Sequence, residues 1–201
     1  MPASRHDLLG NAVSLADPDS LGPLNDFVEG FIACEARVVN ILQVAAPTPT
    51  SPLVQACCAA LHMFAESGDA PGNARPFIEA ARRSTMRITP REQRFVEAVA
   101  AWVEGDLPRA IALHEEQARE HPRDLASLKL GQYHLFNLGN SPGMLRIVQP
   151  ALHAAAEVPT CTAWRPSPGS NATCWSRPKR RRAARWPSSP RSPGPSTRWR
   201  T

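Results

Sequence analysis

Two glycines 34 residues apart set what this chain can fold into. Gly105-Asp106 and Gly139-Asn140 each follow a segment of helical periodicity, and an aromatic residue, Trp102 or Phe136, stands three positions before each glycine. Glycine adopts the left-handed conformation that closes a helix at little cost, so each pair predicts a tight turn. The first turn lies inside the best-formed unit, residues 89–124. There Thr89, Pro90 and Glu92 match a capping box with proline at the first helical position, where its missing N–H costs nothing. Phe95, Ala98, Val99, Trp102 and Val103 then recur at three-and-four spacing and share one helix face. Leu107, Ala110, Ile111, His114 and Ala118 form the face of a second helix, which Pro122 stops. With so short a turn between them, the two helices must run antiparallel.

The remainder reads as further copies of this unit. Residues 1–23 form an irregular lead-in, with one helical turn expected around 7–14. A long helix is predicted over 24–45, striped by Phe27, Phe31, Cys34, Val38 and Ile41 and broken by Pro47, Pro49 and Pro52. Helices over 53–67 and 73–84 follow, separated by Gly68-Asp69, which repeats the turn signal 37 residues before Gly105. After the central unit come helices over 125–138 and from Ser141-Pro142 onward. On the last of these, Met144, Val148, Ala151, Leu152 and Ala155 are expected to be partly exposed for want of a following helix, which makes association a hazard. No stretch approaches the eighteen or so apolar residues of a membrane span, and the first 24 residues lack the pattern of a secretory leader. A cytoplasmic, non-membrane protein is therefore expected.

The 34-residue period is that of tetratricopeptide repeats. Ala110 and Pro122 stand where that pattern has its small second-helix residue and terminal proline, whereas Ala98 stands where it prefers glycine. The runs LNDFVEGFIACEARVVNIL, SPLVQACCAALHMFAES and TPREQRFVEAVAAWVEGDLPRAIALHEEQAREHPRDLASLKLGQYHLFNLG resemble the tetratricopeptide repeat protein 38 family and its bacterial relatives over about residues 7–159. The resemblance implies an all-α solenoid of antiparallel helix pairs over 24–158, the first part of a longer superhelix. It carries over no catalytic residues.

Composition changes abruptly at Pro159. Beyond it there is no Asp, Glu, Leu, Ile, Val, Met or Phe, while four of the five tryptophans and ten of the 23 basic residues fall there. The body, with 13 basic and 18 acidic residues, is near −5 and the segment 159–201 near +10. One reading is a disordered Pro/Arg-rich arm, whose run at 177–182 and whose Trp164, Trp175, Trp186 and Trp199 would suit nucleic acid or an acidic partner. The other is a single lost base near Thr160 in a GC-rich gene. Shifting the frame turns each tail Trp codon into one for Leu, Met or Val and restores apolar periodicity and acidic residues together. That second reading accounts for more of the tail. Nucleic acid is a partner only if the arm is genuine, and the sequon at Asn171 has no meaning under either reading.

No catalytic, metal or cofactor-binding set is predicted. Cys34, Cys57, Cys58, Cys161 and Cys174 lack metal-ligand spacing, and His62, His114, His134 and His153 lie on different helices with no i, i+4 pair. The expected activity is that of a scaffold binding a protein or peptide partner on a concave helical surface. Arg91, Arg94, Gln132 and Asn137 are the candidate exposed contributors to that surface, from their helical phase. The alternative is a fragment of a larger enzyme whose site lies in further C-terminal repeats.

Overall fold

The structure, a computed structural model, describes residues 5–45 and 51–154. The predicted arm and tail, with Cys161, Cys174 and the tail tryptophans, lie outside the described residues, as do Pro47, Pro49 and Ala155. What is described is all-α apart from two strands of two residues each. The seven helices are α1 (Leu21–Ala33), α2 (Pro52–Met63), α3 (Ala70–Arg83), α4 (Pro90–Val103), α5 (Leu107–Glu120), α6 (Leu125–Asn137) and α7 (Ser141–Ala154). None of them is long and apolar enough to cross a membrane.

The punctuation read from the sequence is built as expected at three places. At the start of α4, the Glu92 amide donates to Thr89 Oγ1 at 3.2 Å and the Thr89 amide donates to Glu92 Oε2 at 2.7 Å, a complete capping box. Gly105 and Gly139 take φ of +84° and +68°. Each closes its helix with the same pair of bonds: Asp106 N to Ala101 O and Gly105 N to Trp102 O, then Asn140 N to Leu135 O and Gly139 N to Phe136 O. At the Gly68 turn the left-handed position is taken instead by Glu66, at φ +50°.

Sequential helices pack on one another: α2 on α3, α4 on α5, α5 on α6, α6 on α7. In addition α2 contacts α4 and α5 contacts α7. The alanine- and cysteine-rich α2 is the most enclosed element. Every residue from Pro52 to Ala60 is buried, because small side chains let the neighbouring helices approach on all sides.

Three expectations are corrected. The long helix over 24–45 is broken: Cys34 turns left-handed (φ 56°, ψ 47°), Glu35 is extended, and Ala36–Val44 is a 3₁₀ segment folded back on α1. Gly30 permits this. A Cβ there would lie 2.8 Å from both Arg37 Cγ and the Val38 backbone nitrogen, closer than real side chains come. The lead-in is not a helical turn but a small antiparallel hairpin, β1 (Arg5–His6) with β2 (Ala12–Val13), paired Arg5 to Val13 and His6 to Ala12. On α7, Met144, Val148 and Ala151 are buried, since together with Ile147 they form the face against α5 and α6. Of its large apolar residues, Leu152 (39%) is exposed as expected, and Leu145 (48%) is exposed as well.

Candidate functional site

One face of α6 carries Lys129, Gln132, Tyr133, Phe136 and Asn137 at three-and-four spacing, and this face does not pack wholly against a neighbouring helix. It forms one wall of a largely apolar cleft of about 700 Å³. The end of α1 (Gly30, Phe31, Cys34), the 3₁₀ segment (Glu35, Ala36, Val38) and the end of α2 (Leu61, Phe64, Glu66) supply the rest. The fold-back over Gly30 thus creates the cleft as well as breaking the helix.

Its floor is aromatic. Phe64 lies edge-on to Phe31 at 4.9 Å and tilted against Tyr133 at 4.5 Å, with Trp102 behind both at 5.4 and 5.7 Å. Offset and edge contacts of this kind add about 0.5–1.5 kcal/mol each beyond area burial, so the wall is rigid rather than adaptable. Tyr133 donates its hydroxyl proton to Glu66 Oε1 at 2.5 Å. Burial first, and the neighbouring Glu66 carboxylate second, push the phenol above its ordinary value. Lys129 Nζ donates to Phe31 O at 2.8 Å, Ile32 O at 3.0 Å and Cys34 Sγ at 3.1 Å, and lies 5.3 Å from the Phe31 ring centroid. It therefore caps the orphan carbonyls at the end of α1, the negative end of that helix. On the rim, Arg37 pairs with both Glu29 and Glu35.

The four sequence-predicted residues divide. Gln132 and Asn137 line the cleft, Asn137 exposed and Gln132 turned inward, donating from Nε2 to Met144 O at 3.2 Å. Arg91 and Arg94 are elsewhere. Arg91 is 7% exposed, bonded through Nη1 to Asp124 Oδ2 at 2.7 Å and through Nη2 to Ala12 O at 2.9 Å. Arg94 reaches Glu120 at 2.8 Å and Glu116 at 3.4 Å. The expectation of exposure is thus corrected for Arg91 and Gln132, which are buried, and for Arg94, whose side chain is only 16% exposed. Arg91 is covered because the N-terminal hairpin packs over the start of α4. There Ser14 donates from its amide and hydroxyl to Glu92 at 2.7 and 2.8 Å, and Arg123 Nε donates to Leu9 O at 2.8 Å.

Two histidines on different helices also meet. His114 and His134 lie 5.6 Å apart, their rings tilted by 35°, between α5 and α6, with Trp102 against His134 and His114 Nδ1 2.8 Å from Ser127 Oγ. Both Nε2 atoms are buried without a hydrogen-bond partner among the described residues. Burial drives both imidazoles down, His134 to about 4. No group of three or more His, Cys, Asp or Glu suited to a metal occurs among the described residues. Cys57 and Cys58 are buried, and burial raises both thiols, Cys58 to about 12, which leaves them unreactive. No family model matches the chain, and no solved structure matches it.

Proposed function

We propose that the chain is a tetratricopeptide-like scaffold, akin to the tetratricopeptide repeat protein 38 family and resident in the cytoplasm, that binds a segment of a partner protein in the cleft between α1, α2 and α6. The repeat reading is supported by the identical bond pairs at Gly105 and Gly139, 34 residues apart. The binding reading rests on the cleft: about 700 Å³, aromatic on its floor, with Phe136 still 46% exposed at its edge.

The occupant that fits is a linear segment with an aromatic or aliphatic anchor beside a basic residue. Phe64 and Tyr133 offer ring surface to the anchor. Glu66 offers a carboxylate to the base, and the lysine of the cleft is already engaged by helix carbonyls. A net charge near −5 over residues 1–158 steers the same way.

Panning a library of random linear peptides against the protein tests this. Enrichment of apolar-plus-basic sequences that bind wild type but lose at least tenfold in affinity for Phe136→Glu supports the proposal, and Phe136 is exposed enough for that substitution to spare the fold. Enriched peptides that bind the variant equally, or the absence of any enrichment, would overturn it.

A further inference from the structure

We propose that Cys34 and Lys129 form a peroxide-driven covalent latch at the cleft, an S–O–N bridge joining the end of α1 to α6. Its effect on ligand binding rests on the reading of the cleft as a peptide site, whereas the bridge itself does not.

The observation is a contact between two nucleophiles far apart in sequence. Lys129 Nζ lies 3.1 Å from Cys34 Sγ, and its bonds to Phe31 O and Ile32 O hold the nitrogen there. The sulfur therefore faces a fixed amine rather than a wandering one. Cys34 is exposed while Cys57 and Cys58 are buried, so among these three it is the thiol a small oxidant reaches. Both partners line the cleft.

The chemistry closes with hydrogen peroxide as oxidant. In the first step the Cys34 sulfur attacks one peroxide oxygen, the O–O bond breaks, and a sulfenic acid and one water form. In the second, a further peroxide accepts two electrons as the Lys129 nitrogen bonds to the sulfenic oxygen. The ammonium loses two of its hydrogens and the sulfenic acid its one, leaving as two waters and a proton once the peroxide is reduced. Sulfur is oxidised in the first step and nitrogen in the second. Overall, one thiol, one alkylammonium and two peroxides give one S–O–N bridge, three waters and one proton. A dithiol reductant reverses it.

The bridge abolishes the ammonium charge and fixes the spacing of α1 and α6. With Glu35 and Glu66 unchanged, the rim becomes more acidic, and a basic peptide binds several-fold more tightly in the oxidised protein.

The test uses the full chain, treated with hydrogen peroxide, digested with trypsin without reductant and read by mass spectrometry. The expected product is peptide 6–37 joined to peptide 124–146, uncut after Lys129, heavier than their sum by one oxygen and lighter by two hydrogens. Peptide 124–146 contains no cysteine, so a disulfide cannot imitate this link. Fragment ions separate it from simple oxidation at Met144. Dithiothreitol should dissolve the product, and Cys34→Ser and Lys129→Arg should each prevent it. Recovery of Cys34 as a sulfinic acid, as a disulfide or unmodified, with cleavage after Lys129 undiminished, would overturn the latch. A bridge that forms in a protein that captures no peptide would overturn the peptide-site reading and leave the latch standing. A bridge that leaves peptide affinity unchanged would overturn the regulatory consequence.

Discussion

At the scale of single residues, the buried groups fix both the stability and its pH dependence. His134 titrates at about 4 in the folded protein against an ordinary value of 6.5, and His114 is lowered in the same direction. The unfolded chain therefore binds more protons between these values. The stabilisation is complete above about pH 6.5 and is lost as pH falls towards 4. Asp7, raised by burial, acts with the opposite sign, since its folded form holds a proton more firmly and so gains stability in acid. Urea unfolding at pH 7 and pH 5 should show a lower midpoint at pH 5, and His134→Phe should shrink that difference. An equal drop in the variant would assign the acid sensitivity elsewhere. Arg91→Met leaves Asp124 buried without its cation, for which about 3–5 kcal/mol is usual. Because Gln117 Nε2 and the Ser127 amide still donate to Asp124, the loss in chemical denaturation should fall near the lower end, about 3 kcal/mol.

Helix by helix, the chain is legible where its signals are local and opaque where they are not. Thr89 and Glu92 stand three residues apart and specify their capping box without help from the rest of the molecule. Thr89→Ala should cost about 1 kcal/mol. Gly105 and Gly139 announce turns for the same reason. Gly30 gives no comparable sign: inside a helical stripe it reads as tolerated, and its role is visible only once Arg37 and Val38 lie over it. Gly30→Ala should destabilise by about 1–3 kcal/mol, because backbone has to shift to admit a methyl group, and it should distort the cleft that the fold-back creates. A thermal melt of this variant within error of wild type would refute the close approach. Of the cleft residues, Asn137 was accessible from helical phase, whereas Gln132, read the same way, is turned inward. Lys129, Cys34 and Tyr133 were not, since their contacts join positions 67 to 98 residues apart. Arg91 was misread as exposed for a related cause, because the hairpin that covers it comes from the first fifteen residues.

For the molecule as a whole, the N-terminal portion is held by elements made much later. The hairpin leans on α4 through Glu92 and Arg91 and on the loop before α6 through Arg123, while α1 is fastened to α6 by Lys129. During synthesis the first forty-five residues accordingly meet part of their docking surface as α2 and α4 appear, but the fastening of α1 waits until Lys129 has left the ribosome. Segments in that position stay open to chaperones and proteases for as long as the intervening helices take to appear. A chain stalled before α6 should therefore be cut first near its N-terminus, and one released after α6 should be protected there.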